Sequence, residues 1–238
     1  MALKIEILPV LKDNFCYVLL NGKKATVIDP GDERPIQKYL DDRGLQLELI
    51  LCTHHHPDHV AGAAGLAKTA GCPLWASIWD KDRIPGCTRG LKDNEEVEVA
   101  GSRMRVLHVP GHTQGQVSFY FPNENAVFVG DTLFSLGCGR LFEGTPEQMF
   151  ASLKRLAALP EETLIYFGHE YTLRNAGFAE EVDASSDLKT YLKHVKDTIA
   201  AGKHSSPVKL AIEKRINPFL TAPNLEEWTR RRARRDVY

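Results

Sequence analysis

A chain of 238 residues has room for one large domain, or for a core domain with a smaller appendage. Its 43% apolar and 26% charged residues, at a formal net charge of -1, give no overall field that would recruit nucleic acid or an anionic membrane. No stretch reaches the roughly 18 apolar residues of a membrane span, and Met1 to Val10 lacks the pattern of a secretory signal, so a cytoplasmic protein, or one already stripped of a targeting segment, is expected. The five cysteines are an odd number without a CxxC pair, which fits a reducing compartment better than a disulfide scaffold.

Lys4 to Leu8, Cys16 to Leu20 and Ala25 to Ile28 read as short strands separated by turn residues such as Asn21-Gly22. Arg34 to Arg43 reads as a helix that Gly44 ends, and Leu47 to Cys52 as an apolar strand running into Thr53 and a group of histidines. Val60 to Thr69, rich in Ala and Leu and stopped by Gly71, suits a helix. Strands are expected at Arg103 to Val109, Gln116 to Phe121, Ala126 to Val129 and Thr163 to Phe167. Pro146 to Ala158 reads as a helix capped by Thr145. From Tyr171 onward the composition turns helical and charged, which predicts a boundary near Gly177, with domains 1–176 and 177–238. Strands in two halves, each followed by helices, imply an α/β sandwich of sheets covered by helices.

The chemistry concentrates in Thr53-His54-His55-His56-Pro57-Asp58-His59. A metal ion needs several imidazoles or carboxylates converging on one point from a stiff backbone. His54 and His56 follow a strand directly and can project the same way, because alternate residues share a face. Asp58 and His59 begin the next turn and could serve a second ion. His55 should point away, which suits a structural role. His112, Asp131 and His169 each follow an apolar strand, in Gly111-His112-Thr113, Gly130-Asp131-Thr132 and Gly168-His169-Glu170. Together these residues make a ligand set of five histidines and two aspartates.

H-x-H-x-D-H followed by G-H-T, G-D-T and G-H-E resembles the metallo-β-lactamase superfamily. That resemblance implies a four-layer αββα sandwich with a helical C-terminal domain. It also implies His54, His56 and His112 on one metal, Asp58, His59 and His169 on the other, and Asp131 bridging. Gly130-Asp131-Thr132-Leu133-Phe134, Gly137 to Gly144, Gly168-His169-Glu170-Tyr171-Thr172 and Asn217-Pro218-Phe219 further resemble the glyoxalase II (hydroxyacylglutathione hydrolase) family over nearly the whole chain.

The implied reaction is cleavage of S-D-lactoylglutathione to D-lactate and glutathione in methylglyoxal detoxification. Two divalent ions, zinc first and iron or manganese compatible, would supply hydroxide at neutral pH for attack on the thioester. The implied catalytic residues are Asp131 and Asp58, the latter orienting the nucleophile. Implied substrate contacts are Arg140, Leu141, Phe142, His169, Glu170, Tyr171, Arg232 and Arg235. Arg140 and Arg235 stand where many relatives have Lys and keep the charge; Phe142 lacks the hydroxyl of the Tyr found in some. The reading competing with a carboxylate site for the run Arg230, Arg231, Arg232, Arg234 and Arg235 is a solvated last helix. Cys138 is read as a small buried residue rather than a reactive thiol.

A glutathione persulfide dioxygenase of the same fold binds one iron and lacks a complete second site, so the intact Asp58, His59 and His169 argue against it. A β-lactamase would usually carry a Cys in the second site. Only the terminal arginines support a nucleic-acid-processing member, against a near-neutral chain. The expected partner is a small glutathione thioester, with no nucleic acid or membrane, for a monomeric enzyme.

Overall fold

The computed structural model describes residues 3–238; Met1 and Ala2, the start of the stretch read for a signal, lie outside them. Contacts divide the chain into two compact units, one running to His108 together with Gly115–Glu124, the other comprising Val109–Gln114 and Asn125–Tyr238. No helix among the described residues is long and apolar enough to cross a membrane.

The first unit opens with an antiparallel meander of β1 (Lys4–Val10), β2 (Asn14–Asn21) and β3 (Lys24–Ile28). Next comes α1 (Glu33–Arg43), capped by the Asp32 carboxylate and ended by a left-handed Gly44 (φ 56°). It leads to β4 (Gln46–Leu51), α2 (Pro57–Val60), α3 (Ala63–Ala70), β5 (Leu74–Ser77) and β6 (Arg89–Leu91). From β3 onward the pairing is parallel, in the order β3-β4-β5-β6. Parallel strands end at the same sheet edge, and Ile28 stands opposite Leu51, so the residues after β3 and β4 emerge side by side. The apolar faces of β2, β3, β4, α1 and α3 meet in a core that includes Cys16, Val18, Val27, Ile36, Leu40, Ile50 and Leu66. Strands β7 (Glu96–Val99), β8 (Ser102–His108) and β9 (Val117–Phe121) then form an antiparallel set.

The helix expected over Val60 to Thr69 comes out as two. The Gly62 N–H donates to the Pro30 carbonyl at 2.9 Å, and a Cβ there would lie 2.5 Å from the Glu33 nitrogen, so tertiary packing interrupts the helix. Strands β5, β6 and β7 were not expected. They span four, three and four residues, too short for an alternating pattern to register.

The second unit contains β10 (Ala126–Gly130), the hairpin β11 (Leu133–Phe134) and β12 (Gly137–Cys138), and α4 (Pro146–Ala157) with a Thr145–Gln148 capping box. It continues with β13 (Leu164–Phe167), α5 (Thr172–Val182), α6 (Ser186–Ala200), β14 (Val208–Lys209), α7 (Leu210–Ile216) and α8 (Leu225–Asp236). Strand β13 runs parallel to β10, with Gly130 opposite Phe167, so Asp131 and His169 also leave a common sheet edge. It pairs antiparallel with the two-residue β14, the one strand among the described residues after Tyr171. Phe178 stacks on Phe219, and Trp228 meets Phe219 edge-on, both at 5.9 Å between centroids, which fastens α5 and α8 to the turn after α7. Trp228 is fully buried, and its truncation to Ala would cost about 3–5 kcal/mol.

Candidate functional site

In the first unit the predicted ligands are organised by a residue the sequence reading missed. Asp29 ends β3 in a left-handed conformation (φ 53°), and its carboxylate accepts the Thr53 N–H and hydroxyl, each at 2.7 Å. The hydroxyl has one proton and gives it to Asp29, so the Thr53 oxygen, 3.0 Å from His54 Nδ1, accepts the proton of that ring. His59 Nδ1 donates directly to Asp29 Oδ2 at 3.0 Å. Both imidazoles therefore hold their proton on Nδ1 and carry the lone pair on Nε2, the form a metal ligand needs. Asp29, His54 and His59, all buried, place ligand-type atoms within 4.8 Å of one another.

His56 is half-buried, with its ring edge-on to His54 at 4.7 Å. Asp58 accepts from Asn14 Nδ2 at its Oδ2 (2.9 Å) and its carbonyl (3.2 Å), a second contact the sequence did not reveal. Its carboxylate lies 3.8 Å from His59 Nε2. His55 turns aside as expected. Its Nε2 accepts from the Arg83 guanidinium at 2.7 Å, while its Nδ1 faces the buried Asp80 at 3.4 Å.

In the second unit His112, Asp131 and His169 meet. One oxygen of the buried Asp131, Oδ2, lies 3.4 Å from His112 Nε2 and 3.3 Å from His169 Nε2. His112 Nδ1 donates to the Arg140 carbonyl at 2.9 Å, which leaves the lone pair on the nitrogen that faces the carboxylate. Two electron-rich atoms held this close repel, and a cation relieves them. The donor set thus fits a divalent ion, and its imidazole–carboxylate chemistry suits zinc, iron or manganese. The His169 ring stacks on Tyr171 at 4.6 Å and 7°. Gly139 permits the close approach, for a Cβ there would lie 2.0 Å from the Asp131 carbonyl oxygen and 3.1 Å from His112 Nδ1.

The residues expected to contact substrate divide into two kinds. Arg140 and Phe142 are exposed, Phe142 at 63%, and Leu141 and Tyr171 are half-buried. Arg235 is half-buried; burial, with the guanidiniums of Arg232, Arg174 and Arg140 beside it, holds it below its ordinary pKa. Such a concentration of positive charge favours an anion. Arg232 and Glu170 are instead engaged with the protein. Arg232, 5% exposed, donates to the Cys138 carbonyl at 3.0 Å and to Asp236 at 2.8 Å. Glu170 accepts from the Ser205 hydroxyl and from the Ser205 N–H, the latter at 2.8 Å. The Cys138 thiol is buried and pushed up to about 11, a packed residue and not a nucleophile.

The metallo-β-lactamase superfamily matches residues 11–169, and the hydroxyacylglutathione hydrolase C-terminus matches residues 170–237. The hydroxyacylglutathione hydrolase of Dechloromonas aromatica is 46% identical over 219 residues, 92% of this chain and 81% of that protein. This chain belongs to the hydroxyacylglutathione hydrolase family. Among solved structures, ETHE1 from Myxococcus xanthus matches with a TM-score of 0.74 at 24% identity, over 98% of this chain and 90% of that one. The di-iron-bound form of TTHA1623 matches with a TM-score of 0.65 at 29% identity, over 90% of this chain and 98% of that one. The expected α/β metallo-β-lactamase fold with a helical C-terminal region is the one found. The superfamily match and the hydroxyacylglutathione hydrolase C-terminus match meet between His169 and Glu170, so α5 to α8 all fall in the latter.

Proposed function

We propose that this chain is a metal-dependent thioester hydrolase that cleaves S-D-lactoylglutathione, or a related S-2-hydroxyacylglutathione, to the hydroxy acid and glutathione. The observation that carries the proposal is the pair of imidazoles, His112 and His169, sharing one carboxylate oxygen of Asp131 in a chain of this family. His54, His56 and His112 would hold one ion, Asp58, His59 and His169 the other, with Asp131 common to both. Zinc is the metal we assign. When bound, the ions supply Lewis acidity and a nucleophile available at neutral pH.

The chain's own residues do the remaining work. Asp29 and the Arg140 carbonyl fix the proton of three imidazoles on Nδ1. Asp58, steadied by Asn14, orients the attack. The thiolate is a good leaving group, so no side chain need serve as its acid. Residues 177–238 act as the substrate-binding segment: Arg235, together with Arg140, takes the glutathione carboxylates. Phe142, Leu141 and Tyr171 line the apolar part of the contact, while Arg232, Glu170 and His169 complete the binding set. We assign the chain as a monomeric enzyme of methylglyoxal detoxification and place it in the cytoplasm, a reducing compartment that suits five unbridged cysteines.

The test is hydrolysis of S-D-lactoylglutathione by the purified protein, with metal content measured on the same sample. Turnover with about two metals per chain is expected. No hydrolysis, one iron per chain and oxygen uptake with glutathione persulfide would overturn the proposal.

A further inference from the structure

Glu213 is fully buried on α7, and thioester hydrolysis gives it no task. Both of its oxygens meet the turn of the β11–β12 hairpin. The Ser135 hydroxyl donates to Oε1 at 2.8 Å and the Leu136 N–H to Oε2 at 2.9 Å. With its proton committed to the carboxylate, Ser135 accepts from the Tyr191 hydroxyl on α6, 2.7 Å away. One helical turn on, the Asn217 amide nitrogen shares its two N–H groups among the carbonyls of Phe134 (3.0 Å) and Gly137 (3.1 Å) and Glu213 Oε2 (2.8 Å). From α5, Asn175 Nδ2 donates to the Ser135 carbonyl at 3.0 Å. Three C-terminal helices thus grip one short turn, α5 and α7 through its backbone and α6 through the Ser135 hydroxyl.

The turn needs the grip. Leu136 sits at φ 58°, a conformation that side chains other than glycine adopt only when their surroundings over-determine it. A buried carboxylate is also a costly way to fasten two elements, since its desolvation offsets much of what its hydrogen bonds contribute. What the carboxylate adds is two acceptors fixed in direction.

The turn connects Asp131 to Arg140. Its far strand lies against the site, with Gly139 N–H donating to the Thr132 carbonyl at 3.2 Å. The Arg140 carbonyl holds the His112 Nδ1 proton, and the Cys138 carbonyl seats Arg232. A tilt of the turn would displace all of these together.

The geometry points to Glu213 and Asn217 as positioning residues, which act through the β11–β12 turn to fix Asp131, the Arg140 carbonyl behind His112 and the Cys138 carbonyl under Arg232. The kinetic half of this inference rests on the proposed hydrolysis; the metal-retention half does not.

The experiment titrates a zinc chelator against the zinc-loaded full chain and measures kcat and KM for S-D-lactoylglutathione. Glu213→Ala is expected to release zinc at about ten-fold lower chelator concentration, the effect typical of groups that orient metal ligands. It should also raise KM more than it lowers kcat. Glu213→Gln keeps an acceptor for the Leu136 N–H and should recover most of the zinc retention. Ser135→Ala is the milder probe if Glu213→Ala does not fold, and should shift both readouts in the same direction. Leu192→Ala, which removes a buried α6 side chain that takes no part in these hydrogen bonds, should lower Tm with zinc retention and KM unchanged. Wild-type retention and KM in Glu213→Gln and Ser135→Ala and in any folded Glu213→Ala, or equal shifts in Leu192→Ala, would overturn the inference. A wild-type protein that holds zinc but leaves the thioester intact would refute the proposed function, and the chelator titration would still decide this one.

Discussion

The Asp29 carboxylate accepts the Nδ1 proton of His59 at 3.0 Å and also accepts the hydroxyl of Thr53, the residue that takes the Nδ1 proton of His54. One side chain at the end of β3 therefore sets the tautomer of two imidazoles that follow β4. Asp29→Asn would place an amide N–H against the donors of His59 and Thr53 or give up the contact with the Thr53 backbone. The expected result is about 10- to 100-fold weaker zinc binding. Competition titration with a chelator measures it, and unchanged affinity would show that Asp29 serves the fold alone.

Asp131 is the point at which His112 and His169 converge, 3.4 and 3.3 Å from the same oxygen. Asp131→Ala removes that shared oxygen, the proposed common ligand, and leaves the imidazoles in place. The variant should purify with less metal and with nearly all activity lost, as read by metal analysis beside single-turnover and steady-state assays. Wild-type turnover with two bound metals would sink the assignment.

Much of the candidate ligand group of each unit could be read from the sequence because its members mostly follow apolar strands. His54 after β4, Asp131 after β10 and His169 after β13 sit at sheet edges, where a rigid scaffold presents polar groups. Asp29 stands after β3 in the same way. It went unread because a single aspartate in Val27-Ile28-Asp29-Pro30 looks like a turn residue until β3 and β4 are known to pair in parallel. Asn14 and Glu213 left little local signal, since Asn14 meets its partner 44 residues away and Glu213 meets the hairpin 77 or more residues away, with only Asn217 near it in the chain. Strands β5 and β6 were hidden for a related reason: their shape comes from the neighbouring strand and not from their own alternation.

Arg235 and Arg232 lie three residues apart on α8, yet their variants should behave differently. Arg235 is half-buried among like charges, so Arg235→Gln relieves repulsion and removes the proposed partner of a glutathione carboxylate. We expect KM for the glutathione thioester to rise more than kcat falls, with Tm unchanged or higher. Arg232→Gln should also raise KM, but with a loss of stability, because the guanidinium is buried on the Cys138 carbonyl and Asp236. Steady-state kinetics and thermal melts on both proteins separate the cases, and an unchanged KM in both would return the run to a solvated helix face.

The pH dependence of stability gives a signature of Glu213. Burial pushes its carboxyl up to about 7, against the downward pull of the Leu136 N–H, the Asn217 amide and the Ser135 hydroxyl. Its neighbours from the hairpin, α6 and α7 carry no charge near neutral pH, for the Tyr191 phenol is itself pushed well up by burial. The folded-state pKa is thus above the unfolded value of 4.5, so folding favours the protonated form. Its stabilising contribution is complete below the unfolded value and is lost as pH rises through about 7. Glu213→Gln cannot titrate. The difference in unfolding free energy, wild type minus variant, should therefore fall by up to roughly 3 kcal/mol from mildly acidic to mildly alkaline pH. Denaturant melts of the two proteins across that range provide the comparison. A difference that stays flat would mean that Glu213 titrates as an ordinary carboxylate, and one that grows with pH would mean that the three donors outweigh its burial.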